Sequence, residues 1–268
     1  MSLKHILQFF RSAPTDLPPV KPRQPYHPRL DHQGKWIDDQ PRLLVLSGSG
    51  ISVASGVPTY RSDNGLWLNH SLEEVCNMHT WKDNKEKVQA FYQMLWDQKQ
   101  SCPPNMGHLT LDNLDCVHYT QNVDGLAANA IPIHGQLALL ECLNCGAHWP
   151  HNGVIDLTQE CPDCHIFGDI KPGVVFFHQH PPMYHVFLNG LLQLREQDVL
   201  VVVGTSGSVV PIVSWCNNMG VQAQKWLFNF ERSESLPEDF FNCVVMGPFE
   251  QTCFALQDKW QQYLRSMR

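Results

Sequence analysis

A doubly wound α/β sheet with a smaller cysteine-bearing domain is predicted by three observations. Five short apolar runs, at 43–46, 116–119, 199–203, 226–228 and 243–246, each lead into a polar or glycine-containing turn. The spans between them carry helical periodicity, as where Val88, Phe91, Tyr92 and Leu95 fall at i, i+3, i+4 and i+7. Four cysteines stand as two Cys-x-x-Cys pairs in one separate stretch, 142–164. Continuous β-branched runs such as Val199-Leu200-Val201-Val202-Val203 suit strands covered on both faces, the situation of a parallel, Rossmann-like sheet.

Composition narrows the function classes. The 268 residues are 43% hydrophobic and 17% charged, enough apolar surface for a real core. A net charge of −7 argues against a broad electrostatic grip on nucleic acid. Met1-Ser2-Leu3-Lys4 leads into only a brief apolar patch before Arg11 and a series of prolines, unlike a secretory leader. No run approaches the roughly 18 apolar residues of a membrane span, so a cytoplasmic protein without membrane partners is expected. On that footing the scattered thiols (Cys76, Cys102, Cys116, Cys216, Cys243 and Cys253) read as buried, and the paired ones as metal ligands rather than disulfides.

Taken in order, residues 1–41 offer a short amphipathic pattern (Leu3, Ile6, Leu7, Phe10) and then Pro14, Pro18, Pro19, Pro22, Pro25 and Pro28, an irregular extension. Leu43-Leu44-Val45-Leu46-Ser47 follows, ending in Gly48-Ser49-Gly50. Glycines there let a backbone approach a phosphate at a helix start, and would equally serve a tight turn. A hydride-transfer fingerprint wants a third Gly or Ala where Val53 stands, and an acidic residue at the end of a second strand; Asp63 lies in a turn-rich stretch instead. The nucleotide reading survives and the dehydrogenase reading weakens. Residues 63–100 are helical, Cys102-Pro103-Pro104-Asn105 breaks the pattern, and 106–114 resumes it. The strand at 116–120 ends in Gln121-Asn122-Val123-Asp124-Gly125. After the cysteines, Val174-Val175-Phe176-Phe177 precedes a loop and a helix through Leu194, and the last helix carries Phe254, Leu256, Trp260 and Leu264.

In such a sheet, ligands sit beyond the carboxyl ends of the strands. The polar clusters Gly48–Gly50, Gln121–Asp124, Gly204-Thr205-Ser206 and Asn229-Phe230-Glu231 would therefore gather on one edge. The expected division is a sheet domain of 1–61, 106–135 and 180–268, and a small domain of 62–105 and 136–179.

Cys142-Leu143-Asn144-Cys145 and Cys161-Pro162-Asp163-Cys164, 15 residues apart, supply four thiolates for a tetrahedral zinc. Four protein ligands leave no open position, so the zinc is structural; His148, His151 and His165 are not needed. His134, beside Gly135 and shortly after the Asn122/Asp124 loop, is a candidate general base, although any one of 14 histidines is more often a surface or core residue.

The motifs Gly48-Ser49-Gly50-Ile51-Ser52-x-x-Ser55-Gly56-Val57-Pro58-x-Tyr60-Arg61, Thr120-Gln121-Asn122-Val123-Asp124-Gly125-Leu126, His134-Gly135, the four cysteines, Lys171-Pro172-x-Val174-Val175-x-Phe177 and Gly204-Thr205-Ser206 together closely resemble the sirtuins. The resemblance spans about residues 43–250 and implies an NAD-dependent protein-lysine deacylase acting on acyl-lysine proteins or peptides, with NAD consumed and zinc structural. It implies that Gly48, Ser49, Gly50, Ile51, Ser52, Gly56, Thr59, Tyr60, Arg61 and Trp67 surround the NAD diphosphate and nicotinamide ribose. Gln121, Asn122, Val123 and Asp124 line the nicotinamide pocket, and Gly204, Thr205, Ser206, Asn229, Phe230, Glu231 and Phe249 hold the adenosine half. His134 is the implied base, with Asn122 and Asp124 beside it in the catalytic group. Tyr92, Val175 and Phe177 are implied to meet the acyl-lysine substrate. In the family's reaction the acyl oxygen attacks the ribose as nicotinamide leaves, and the acyl group ends on ADP-ribose.

Three departures shape the expectation. Thr59-Tyr60-Arg61 resembles the bacterial and mitochondrial class that removes succinyl and malonyl groups. That class pairs the acyl carboxylate with an arginine three residues after a tyrosine; here Tyr92 is followed by Leu95, and a carboxylate there would be buried unpaired. Tyr92 and Leu95 equally read as a core stripe. An acetyl or other uncharged acyl group is therefore expected over a succinyl or malonyl one. Phe177-His178-Gln179 stands where the family has Phe-Gly-Glu at a peptide-binding edge, leaving NAD hydrolysis or ADP-ribosyl transfer as the alternative reaction.

Overall fold

The computed structural model describes residues 29–267, apart from 32, 34, 38, 59–65, 68 and 69. The amphipathic pattern and prolines expected before residue 29 lie outside it. The strands and helices run β1 (Leu43–Ser47), β2 (Leu66–Trp67), β3 (His70–Ser71), α1 (Leu72–Val75), α2 (Lys85–Lys99) and α3 (Met106–Asn113). Then come β4 (Val117–Thr120), β5 (Ile131–Pro132), β6 (Gly135–Cys142), β7 (His148–Pro150), β8 (Ile170–Val174) and α4 (Tyr184–Leu192). The chain closes with β9 (Val199–Val203), α5 (Ile212–Met219), β10 (Gln224–Asn229), β11 (Cys243–Met246) and α6 (Phe249–Ser266).

The main sheet has the order β11-β10-β9-β1-β4-β5, and every described pairing in it is parallel. From β1 the chain first builds outward through β4 and β5, then returns to β9 on the opposite side of β1. The order thus reverses at β1 and β9, where the loops leaving two neighbouring strands diverge and open a crevice. All five residues of β1 and of β9 are buried, because helices cover both faces and every side chain of the strand must be apolar or paired. Two apolar clusters flank this sheet. One gathers Leu44, Leu46, Tyr119, Phe187 and Leu200; the other gathers Leu43, Val45, Phe228, Phe249 and Trp260.

A second structural unit lies beside the crevice. The antiparallel sheet β7-β6-β8 carries the cysteines, and α2 lays Val88, Phe91, Tyr92 and Leu95 against it. Their common apolar cluster draws on residues 75–95 and 137–176, the two segments that interrupt the main sheet in sequence. β8 ends at Val174, and in α6 Phe254 is 51% exposed while Phe249, Cys253, Leu256 and Trp260 form the buried stripe. Among the described residues, no helix is long and apolar enough to cross a membrane.

Candidate active site

β1 ends at Ser47, and through Gly48 the chain turns into a 3₁₀ helix, Ser49–Ser55, closed by Gly56 at φ 87°. The glycines at 48 and 50 answer to a neighbouring backbone. A Cβ on Gly48 would lie 2.8 Å from the Gly204 carbonyl oxygen, and one on Gly50 would lie 2.7 Å from the Gly204 Cα. The Gly48 N–H donates to the Val203 carbonyl and the Gly50 N–H to the Gly204 carbonyl, at 3.0 and 2.7 Å. The Ile51 N–H is also spent, on the Gly48 carbonyl. The expected phosphate cradle is therefore corrected in one respect: these three amides are committed within the protein, and the glycines allow the β1 and β9 loops to meet.

Below that junction lies a buried polar knot. The Ser52 hydroxyl donates to Asp124 Oδ2 at 2.7 Å and accepts from Asn122 Nδ2 at 3.0 Å. His108 Nε2 approaches the same oxygen at 3.2 Å. The Asn105 N–H donates to His108 Nδ1 while the Asn105 side chain caps α3 through Gly107 N–H, a reciprocal capping box. With Nδ1 accepting, the proton of neutral His108 sits on Nε2 and donates to Ser52. Burial lowers the pKa of His108 despite nearby Asp124 and Asp112, which keeps the ring neutral. Asp124 Oδ1 takes the Leu126 N–H, so Asn122 and Asp124 are both held from behind. Gln121 is fixed by Ser47 O and Thr205 Oγ1, at 3.3 and 3.1 Å.

His134 sits where the two sheets join. Its carbonyl accepts from Val175 N–H, and the following Gly135 takes φ 81°, with its missing Cβ only 2.1 Å from the Gly173 carbonyl oxygen. No other residue fits that turn. His134 Nδ1 donates to the Gln121 carbonyl at 3.1 Å, and Nε2 accepts from the Tyr184 hydroxyl at 2.8 Å. Burial pulls the His134 pKa down to about 4, more than the Gln121 carbonyl raises it, so the imidazole is neutral near pH 7 with its proton on Nδ1.

These groups share one cavity of about 1000 Å³, at the upper end of the roughly 300–1,000 Å³ typical of small-molecule sites. Gly48, Ser49 and Gly50 line it with Gly204, Thr205 and Ser206 from the opposite loop. Asn229, Phe230 and Glu231 extend that end; Gln121, Asn122, Val123, Asp124 and His134 form its middle. Val175 and Phe177 line the far end with Leu72, Cys76 and Phe176. The dimensions and the two apposed glycine loops suit an extended dinucleotide.

Other expected site residues are placed elsewhere. Ile51 and Ser52 are buried beneath the cavity, because Ile51 packs into the sheet core and Ser52 serves the polar knot. Gly56 closes the 3₁₀ helix without lining the cavity. Phe249 is a core residue of α6, edge-on to Phe228, while its neighbours Pro248 and Glu250 reach the cavity. Tyr92 is fully buried behind the wall, stacked at 5.7 Å on Phe176 and beside the Cys76 thiol, so Phe176 and Cys76 meet the cavity in its place. Leu95 shares that core. Phe177 exposes its side chain, but its N–H is bonded to the Cys76 carbonyl and its carbonyl accepts from Met78. Trp67 lies in β2, while Thr59, Tyr60 and Arg61 fall outside the described residues.

Tyr184 and His108 were not legible as site residues. The Asn105-x-x-His108 spacing carries a capping signal, whereas Tyr184 opens a helix with no motif around it.

The four cysteines converge, their sulfurs all within 4.8 Å of one another. Cys142 Sγ is 3.7 Å from Cys164 Sγ, and Cys145 Sγ is 3.6 Å from Cys161 Sγ. A zinc–thiolate tetrahedron with bonds near 2.3 Å has edges of about 3.8 Å, so the donor set fits zinc. Each knuckle turns at a left-handed residue, Gly146 at φ 75° and His165 at φ 60°. The rival histidines are engaged elsewhere: His148 with Gly146 O, His151 with Leu137 O and His165 with Glu160.

Comparison with known proteins agrees with this arrangement. The model of the Sir2 family matches residues 48–211. An NAD-dependent protein deacylase of Helicobacter hepaticus is 30% identical over 263 residues, covering 84% of this chain and all of that one. The enzyme of the same name from Salmonella typhimurium is 33% identical, covering 83% of this chain and 85% of its own. A solved Sir2 homologue in complex with NAD has the same fold at TM-score 0.70 and 24% identity, across 88% of this chain and 98% of that one. A Sir2 homologue mutant with 2′-O-acetyl ADP ribose superposes at TM-score 0.69 and 25% identity, across 83% and 93%. From the crevice at the strand reversal to the four-cysteine knuckles, the chain belongs to the Sir2 family.

Proposed function

We propose that the chain is an NAD-dependent protein-lysine deacylase that removes acetyl or another uncharged acyl group. The observation that carries the reading is a neutral His134, with Nε2 as its proton-accepting nitrogen, midway along a cavity that joins the glycine loops to an apolar wall. In this reading the loops at 48–50 and 204–206 hold the dinucleotide, and Asn229–Glu231 its adenosine end. Bound NAD supplies the ribose that accepts the acyl group, and its bond to nicotinamide is the one consumed. Asn122 and Asp124, anchored through Ser52, keep their places as charge shifts in the site, and His134 removes a proton from a hydroxyl presented to Nε2. General-base catalysis of this kind contributes about 10²–10⁴-fold. The sheet bearing residues 29–58, 106–135 and 180–267 would act as the dinucleotide domain, and the zinc unit with α2 as the other half of the cleft.

The preference for an uncharged acyl group rests on the wall. Leu72, Cys76, Val123 and Phe176 face it with apolar or weakly polar surface. Lys171 stands behind Phe176, but it is fully buried and its Nζ is held by Glu141 at 2.6 Å and by the Pro172 and Val174 carbonyls. A succinyl carboxylate would have to break that pair. Matched acetyl- and succinyl-lysine peptides, followed by mass spectrometry, test the reading. At least tenfold higher kcat/KM for the acetyl peptide is expected; equal or faster desuccinylation would overturn the preference. Free ADP-ribose without loss of the acyl group would move the protein to NAD hydrolysis.

A further inference from the structure

We propose that Tyr184 is a positioning residue that caps the proton-accepting nitrogen of His134, its hydroxyl holding the place that a substrate hydroxyl takes during the reaction. The inference rests on His134 acting as the base, and its first test reads the imidazole itself rather than deacylation.

The imidazole is gripped at both nitrogens. Nδ1 donates to the Gln121 carbonyl, which fixes the tautomer and leaves a lone pair on Nε2. Tyr184 Oη occupies that lone pair at 2.8 Å, and both side chains line the same cavity. The tyrosine comes from the first residue of α4, on the far side of the site from the Gln121 loop, and its ring is backed edge-on by Trp215 at 5.4 Å. It is thus placed by packing rather than by the imidazole alone. The titratable group set against His134 from α4 is Tyr184; from the loop after β4 it is faced by a backbone carbonyl.

Two functions are open to a hydroxyl in that position: passing a proton to the imidazole, or filling its place. The chemistry favours the second. Burial drives the Tyr184 pKa up to about 12 and the His134 pKa down to about 4, so the proton remains on the tyrosine oxygen. An O–H donor that keeps its proton competes with any other hydroxyl for Nε2. A substrate hydroxyl must therefore displace Tyr184, and one hydrogen bond of net strength about 1 kcal/mol corresponds to a factor of about five in substrate binding.

Diethyl pyrocarbonate, which acylates an unprotonated imidazole nitrogen, provides the test with peptide mapping by mass spectrometry. It is applied to the full chain at pH 7, without NAD or peptide. Tyr184→Phe keeps the ring and its contact with Trp215 and removes only the cap. His134 should be labelled at least threefold faster in this variant, with exposed His185 as the rate standard and buried His118 unlabelled as the sign of an intact fold. Equal or slower labelling of His134 overturns the proposal. If His118 becomes reactive, Tyr184→Leu, which retains apolar packing, is judged by the same criterion. In turnover, Tyr184→Phe should lower KM for NAD about fivefold with kcat little changed; a fall in kcat comparable with that of His134→Ala would overturn the cap and assign a proton relay.

Discussion

Ser52→Ala is the sharpest perturbation of the polar knot beneath the site. Its hydroxyl is shared by Asn122, Asp124 and His108, and the change removes three contacts of 3.0, 2.7 and 3.2 Å while deleting a single atom. Asp124 keeps the Leu126 N–H and borders the cavity, so water can replace part of what it loses. His108 is fully buried, and its Nε2–H is left without that partner. A buried donor left unsatisfied costs about 1–3 kcal/mol. With partial loss at Asn122 added, the variant should lose roughly 2–4 kcal/mol of stability by urea unfolding. Because Asn122 and Asp124 lose their shared anchor, kcat/KM for an acetyl-lysine peptide should fall at least tenfold at temperatures where the variant is folded. A change below about 0.5 kcal/mol, with kcat/KM intact, would refute the view that Ser52 organises the site.

Other consequences follow the same logic. His118 is buried against Ser47, and its pKa is depressed to about 3, chiefly by burial. The unfolded chain therefore takes up its proton first as pH falls below about 6.5, and the stability present above that value is lost progressively towards pH 3. At pH 5 the loss from His118 is about 2 kcal/mol, and His118→Gln should flatten the stability–pH curve by that amount. Gly50→Ala places a Cβ 2.7 Å from the Gly204 backbone, and should destabilise the chain by about 1–3 kcal/mol and weaken NAD binding measured by calorimetry. One zinc per chain is expected by elemental analysis; Cys145→Ser should lose it and lower amide protection across β6–β8 in hydrogen exchange.

Much of this was legible in the sequence because the signals are local. The β-branched Val199–Val203 run suits a covered strand, and each Cys-x-x-Cys pair announces a metal knuckle by its own spacing. The polar clusters after β1, β4, β9 and β10 gather as the parallel order requires, since each leaves a strand at the same edge. Periodicity, however, says which face of an element is apolar and not what that face meets. The resemblance, not periodicity, offered Tyr92 and Phe249 as ligand contacts; they fill cores behind Phe176 and beside Phe228, for Tyr92 as its place in the apolar stripe had also suggested. The glycines at 48 and 50 were found correctly but for another partner, because only the fold brings Gly204 against them. His108 and Tyr184 act across 56 and 50 residues of sequence, on Ser52 and His134, and no local pattern announces such a pair.

In the proposed reaction, acyl transfer and NAD consumption are one event organised around His134. The direct measurement is a product balance with NAD and an acetyl-lysine peptide, comparing the natural chain with His134→Ala, while NAD binding is followed separately. Nicotinamide, O-acetyl-ADP-ribose and free lysine peptide should form in equal amounts from the natural chain. Turnover by the variant should be at least a hundredfold slower, with NAD binding still measurable. Nicotinamide released at the same rate without peptide, or undiminished deacetylation by His134→Ala, would contradict that reaction.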